Sequence, residues 1–276
     1  MSFRSYFDVP GEDRSGLAHQ VAEGRQRIEQ RLQGVEAIIA VMSGKGGVGK
    51  SYVVAGLALA AAASGRSVGV LDADLRSPTV ARLLDASGPL RIADDGVHPA
   101  VGEAGIRIVS SDFLLADGRP LTWRGPEEGR YLWQGALETA VLHDFLGDVA
   151  WGVLSLLFID LPPGADGFPE LAILSTLSGV LTVTLPSEES RRSVRRAMRA
   201  ARQHGMRLLG VVENMSGYAC ADCRETRPLF PGNAGVSLAE EFDVPLLATI
   251  PFASAGRGSG GDPFEKLYAR IAEALS

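Results

Sequence analysis

Cysteine, lysine and histidine are scarce in this chain, and each scarcity excludes something. Two cysteines, Cys220 and Cys223, cannot build a disulfide framework, and their small number points to a reducing, cytoplasmic setting. The four histidines, His19, His98, His143 and His204, are scattered singly, so none extends the cysteine pair into a conventional four-ligand metal motif. No window holds the ~20 uninterrupted apolar residues of a membrane span, and the N-terminal residues lack the apolar core of an export signal. A net charge of −6 offers no general attraction to nucleic acid or anionic lipid. Lysine occurs only at Lys45, Lys50 and Lys266; the remaining basic residues are arginine. Two of those three lysines fall within one short stretch, SGKGGVGKS, where a compact ammonium is evidently wanted in place of a guanidinium.

What is present is a large apolar share, 46% of 276 residues, enough for a substantial core. Residues 1–17 are polar and read as a loose tail, and 18–276 as one α/β unit. Residues 17–32 read as a surface helix. Seven short apolar runs follow: VEAIIAVMS, SVGVLDAD, IRIVSS, VLSLLFIDLP, GVLTVTLPS, RLLGVVENM and PLLATIPF. They are continuous, not alternating, as strands buried on both faces should be. Helical stretches separate them: SYVVAGLALAAAAS, EGRYLWQGALETAVLHDFLG, FPELAILSTL, SEESRRSVRRAMRAARQHG and NAGVSLAEEF, with FEKLYARIAEALS as a packed final helix. Alternation of this kind predicts a mostly parallel twisted sheet with helices on both faces.

The first run empties into SGKGGVGKS and a helix, the context that a G-x-x-x-x-G-K-[ST] phosphate loop requires. Glycines let backbone N–H groups wrap phosphates, and the helix N-terminus adds partial positive charge. The loop makes Gly44, Lys45, Gly46, Gly47, Val48, Gly49, Lys50, Ser51 and Tyr52 candidate nucleotide-binding residues, with Lys50 on the β/γ-phosphates and Ser51 on Mg²⁺. Two later runs end in carboxylates, where open parallel sheets bind ligands. In LDADLRSP, Asp72 and Asp74 are two apart and share a face in a strand, so both can point toward the phosphates. In FIDLPPG, Asp160 is placed for an outer Mg²⁺ contact and Gly164 for an N–H to the γ-phosphate. The competing explanation is that these aspartates cap the following helices. Cys220 and Cys223 are half of a tetrahedral metal site, and a redox or merely structural thiol pair is the other reading. Arg191, Arg195, Arg199 and Arg202 share a helix face, read as a solvated surface, or else as a docking face for an acidic partner or DNA.

The early lysine in KGGVGKS resembles the deviant Walker A class of P-loop ATPases. Further motifs, GVEAIIAVMSGKGGVGKS, LDADLRSP, TWRGP, FLGDVAWG, IDLPPG, GVVENMSGYACADC and SLAEEFDVPLLATIPF, resemble its Mrp/ApbC branch of iron–sulfur cluster carriers from about Arg31 to Phe252. The resemblance implies a nucleotide-sandwich homodimer that hydrolyses ATP slowly, with Lys45 reaching the partner's phosphates and Asp74 orienting water. It implies that Asn214 contacts adenine. It also implies that Cys220 and Cys223 join the same pair from a second subunit around a 4Fe–4S cluster destined for apoprotein acceptors; zinc suits four thiolates too. Tyr52 stands where that class usually has threonine, and the segments after Gly164 and after Phe252 depart from its pattern. Two other classes compete: a partition-type ATPase acting on DNA or a membrane, and a regulator that binds nucleotide without turning it over.

Overall fold

The computed structural model describes residues 17–87, 89–114, 140–164, 177–219, 225–253 and 262–275. Its chain order is α1 (Leu17–Leu32), β1 (Val35–Ser43), α2 (Lys50–Ala63), β2 (Val68–Asp72), α3 (Val80–Leu83), β3 (Arg91–Ala93), β4 (Gly96–His98), β5 (Ala100–Val101) and β6 (Arg107–Ser110). There follow α4 (140–147), β7 (Leu154–Asp160), β8 (Leu177–Thr184), α5 (Glu188–Gln203), β9 (Leu208–Ala219), β10 (Thr226–Arg227), α6 (Ala234–Glu241), β11 (Leu246–Ala253) and α7 (Pro263–Leu275).

All seven apolar runs are strands of one sheet, ordered β10-β9-β8-β1-β7-β2-β6-β5, with β11 on the free side of β9. Pairing is parallel throughout except at β5–β6 and β9–β10. The period-two geometry of a strand divides β1 between two cores. Ile38, Ala40 and Met42 face a layer containing α1, α4, α5 and α6; Ile39 and Val41 face α2, α3 and α7. Both layers are closed, which is why the runs carry no polar face.

Several details differ from the sequence reading. The helix at the N-terminal end is not only a surface element, since Ile28 and Leu32 are buried against the first core. The short β3–β4 hairpin and the antiparallel edges β5 and β10 carry too few residues to leave a periodic signal. β9 continues past Met215, where the apolar run stops, to Ala219. The expected helix over 168–176 and most of the expected helix before α4 lie outside the described residues.

The sheet order sets the site. β7 lies between β1 and β2, so their carboxyl ends are contiguous, with Asp160 opposite both Val41 and Asp72. The loop after β1 and the carboxylates after β2 and β7 therefore converge on one end of the sheet.

Candidate nucleotide-binding site

Between β1 and α2 the chain makes a tight loop around the N-terminus of the helix. Gly47 and Gly49 have φ of 77° and 79°, a conformation that L side chains seldom adopt, so glycine is needed at both. Gly44 serves another purpose: a Cβ there would overlap the backbone of Ser193 and Val194, so the loop begins flush against α5.

Lys50 opens α2 and is 6% exposed. Its Nζ donates to Asp160 Oδ1 at 2.5 Å, and the Ser51 hydroxyl donates to Asp160 Oδ2 at 2.5 Å. One buried carboxylate thus holds both side chains that a phosphate loop presents to its ligand. Burial pushes the Asp160 carboxyl above the usual carboxylate range, opposed by the Lys50 ammonium and the Ser51 hydroxyl.

Above this buried group lies a cleft of about 1130 Å³. Lys45, Gly46, Gly47, Val48, Gly49, Lys50, Ser51 and Tyr52 form one wall, and Asp74, Leu75, Arg76, Ser77 and Thr79 another, with Pro162 and Pro163 beside them. Lys45, Lys50, Arg76 and Arg82 give the lining a cationic character suited to a polyphosphate. Arg82 is itself steadied by the Pro78 carbonyl at 3.1 Å and by Asp112 at 3.7 Å.

The two aspartates of LDAD separate. β2 ends at Asp72, so Asp74 belongs to the loop and lines the cleft. Asp72 is fully buried: its Oδ2 accepts N–H bonds from Thr79 (3.0 Å) and Val80 (3.2 Å) and the Ser110 hydroxyl (3.3 Å), and its Oδ1 accepts from the Asp74 amide (3.2 Å). It anchors the loop that carries Asp74, much as the capping alternative anticipates. Gly164 lies near the loop, where its N–H donates to the Ser43 carbonyl at 2.9 Å. Asn214 is 3% exposed beneath the loop, its amide donating to the Val48 carbonyl at 2.9 Å. The partner of that amide lies 166 residues away in sequence, which no local pattern reveals.

Tyr52 is half exposed at the cleft edge, and its ring meets Phe264 of α7 edge-on, with centroids 5.4 Å apart. Phe264 also lies over Gly56, where a Cβ would come within 2.6 Å of its ring. Tyr52→Thr is expected to lower stability by about 1 kcal/mol through loss of this aromatic pair, read as a reduced urea midpoint at unchanged slope.

The arginine face of α5 is partly paired with two carboxylates. Arg191 and Arg192 pair with Glu188, Arg199 pairs with Glu241 at 2.9 Å, and Arg195 approaches Glu241 at 3.9 Å. Arg202 donates instead to the Phe242 carbonyl, so the face keeps part of its positive charge at a solvated surface. Among the described residues no three His, Cys, Asp or Glu side chains gather as a metal site, and no helix is long and apolar enough to cross a membrane. Cys220 and Cys223 lie outside the described residues, as do Trp123 and Arg124.

The model of a family described as NUBPL iron-transfer P-loop NTPase, within the ParA group, matches residues 34–269. The chain belongs to this family. The NUBPL-type chain is 40% identical over 244 residues to the "Iron-sulfur cluster carrier protein" of Saccharolobus solfataricus, covering 86% of this chain and 79% of that one. It is 39% identical over 232 residues to the human "Cytosolic Fe-S cluster assembly factor NUBP2", covering 81% and 82%. Among solved structures, a nucleotide-binding protein from Archaeoglobus fulgidus in complex with ADP superposes with a TM-score of 0.68 at 32% identity, covering 90% of this chain and 92% of that one. The cell division ATPase MinD of Pyrococcus furiosus shares the fold, with a TM-score of 0.57 at 21% identity and 86% and 99% coverage. The expected fold and family are therefore both found.

Proposed function

We propose that this NUBPL-type P-loop NTPase is an ATP-dependent iron–sulfur cluster carrier. Two copies sandwich nucleotide and hold one cluster between Cys220 and Cys223 of each subunit for delivery to apoproteins. The observation that carries the reading is the buried Lys50–Asp160–Ser51 group at the floor of a cationic cleft, together with a β9 strand that touches the phosphate loop through Asn214 and ends at Ala219, next in sequence to Cys220. Relatives that are an iron–sulfur cluster carrier and an Fe-S cluster assembly factor support the cargo, and the ADP complex of the Archaeoglobus protein supports the nucleotide.

In this reading Lys50 and the loop amides hold the β/γ-phosphates, and the cleft walls exclude bulk water from them. Asp74 orients the attacking water from its loop, and Lys45 neutralises charge on the partner's nucleotide. Ser51 Oγ and the Asp160 carboxylate are hard oxygen donors 2.5 Å apart, the donor type that Mg²⁺ prefers, and they would hold it directly or through water. Bound there, Mg²⁺ supplies charge neutralisation for the phosphates. Four thiolates from two subunits suit a 4Fe–4S cargo.

Anaerobic reconstitution with iron and sulfide tests the reading. The expected result is absorbance near 400 nm with about four irons per dimer on a Cys₄ cluster. A Cys220→Ser, Cys223→Ser double variant that binds the same iron would sink it, and stoichiometric zinc with no chromophore would make the cargo zinc.

A further inference from the structure

Tyr52 brings to the phosphate loop a large aromatic ring that no phosphate requires. It follows Lys50 and Ser51 directly, where the deviant Walker A class usually has threonine. The first bond of α2 joins the Val53 N–H to the Gly49 carbonyl at 3.0 Å. The Tyr52 amide therefore belongs with the donors that a helix start leaves for other partners, while its side chain lines the cleft.

The ring is supported by α7. Phe264 is 6% exposed and lies over Gly56, one turn along α2 from Tyr52. A Cβ on Gly56 would come within 2.6 Å of three atoms of the Phe264 ring, so glycine at that position is what lets the ring settle onto α2. Asp262 Oδ1 accepts the Phe264 N–H at 2.9 Å and fixes the start of α7. Seated there, Phe264 meets Tyr52 with 5.4 Å between centroids and 73° between ring planes. Tyr52 is still half exposed, so this contact restrains the ring without covering it. A side chain restrained before binding loses little freedom when a ligand packs against it.

The direction of phosphoryl transfer indicates which part of a nucleotide meets this ring. In-line displacement puts the attacking water and the leaving diphosphate on opposite sides of the γ-phosphate. Asp74 is on one wall of the cleft and Tyr52 on the other. With the water oriented by Asp74, the nucleoside lies toward Tyr52. Asn214, which the family resemblance places at adenine, is 3% exposed and has its amide engaged by the Val48 carbonyl.

We propose that Tyr52 stacks on the nucleobase, so that this loop grips a nucleotide by its base as well as by its phosphates. Stacking uses the π-face that every base has, so adenine and guanine are held alike. The inference rests on the nucleotide-binding reading of the cleft and is independent of any cluster on the cysteines.

Calorimetric titration of the full-length protein with Mg²⁺–ADP, Mg²⁺–GDP and Mg²⁺–pyrophosphate tests it, because pyrophosphate offers the phosphates without a base. Tyr52→Thr is expected to weaken ADP and GDP about fivefold or more, the low end for a base stacked on an aromatic side chain, and to leave pyrophosphate unchanged. Tyr52→Phe keeps the ring and is expected to bind all three as the wild type does. The lower stability of Tyr52→Thr does not imitate this pattern, since partial unfolding weakens the three ligands in equal proportion. Tyr52→Leu retains an apolar contact with Phe264 but has no π-face, and should repeat the Tyr52→Thr pattern in a more stable background. The proposal is overturned if both variants keep wild-type affinity for ADP, if they lose ADP and pyrophosphate equally, or if they lose ADP and keep GDP. A wild type that binds none of the three ligands removes the nucleotide reading and the stack with it; a wild type that binds all three, with unaltered variants, removes the stack alone.

Discussion

Lys50→Ala is expected to lower ATP turnover at least about 100-fold, the scale for losing a preorganised charge at a reacting phosphate. The same substitution is expected to destabilise the protein, and the reason lies under the cleft. Among the described residues Lys50 is the one cation paired with Asp160, and Asp160 is paired in register with Asp72, itself fully buried. Removing the ammonium leaves two neighbouring carboxylates in a dry environment. Breaking a buried pair in this manner costs about 3–5 kcal/mol. Protonation relieves the repulsion, so the loss should be larger at pH 8 than at pH 5.5. Phosphate release reports the first effect, and urea unfolding at the two pH values reports the second. Turnover within about twofold of wild type in a folded Lys50→Ala protein would remove Lys50 from the phosphate site.

The parts of this molecule that were legible in sequence share a physical cause: each is enforced locally. Strands buried on both faces must be apolar at every position, so VEAIIAVMS and its counterparts announce themselves. A phosphate loop needs glycine at its left-handed positions and lysine at the helix start, and Gly47, Gly49 and Lys50 supply them within four residues. What stayed hidden is set by distant partners. Alternation in a strand places Asp72 and Asp74 on one face, but β2 stops at Asp72, so the rule ceases to apply where it was needed. Asp72 then finds the amides of Thr79 and Val80, and Asp74 is left to line the cleft. Nothing near Asn214 in sequence shows that its amide reaches the Val48 carbonyl. Gly44 reads as part of the phosphate wrap, while its packing against Ser193 and Val194 depends on α5, almost 150 residues on.

Asp72 carries the remaining large expectation, which concerns pH. Burial, and secondarily the neighbouring Asp160, raise its carboxyl from the ordinary 3.8 to about 7, against the amides of Val80 and Thr79 and the Lys50 ammonium. A folded-state value above the unfolded one means that the native protein holds the proton more tightly. The resulting stabilisation is complete below the unfolded value and disappears as pH rises through the folded one. Over the whole window the shift corresponds to roughly 4 kcal/mol, and between pH 5 and 8 to about 2–3 kcal/mol. Burial of Asp160 acts with the same sign. The protein without added nucleotide is therefore expected to lose stability steadily from pH 5 to pH 8, opposite to a protein dominated by salt-bridged carboxylates. Urea midpoints across that range give the slope directly. Asp72→Asn cannot ionise, and its slope should be shallower by the Asp72 share; a variant with the wild-type slope would place the titrating group elsewhere. The amides that Asp72 accepts belong to the loop carrying Asp74. An ionised carboxylate is the stronger acceptor for those amides, so the stability lost at high pH should appear as unfolding of the whole sheet, with hydrogen exchange at Thr79 and Val80 quickening no earlier than exchange in β1 and β7.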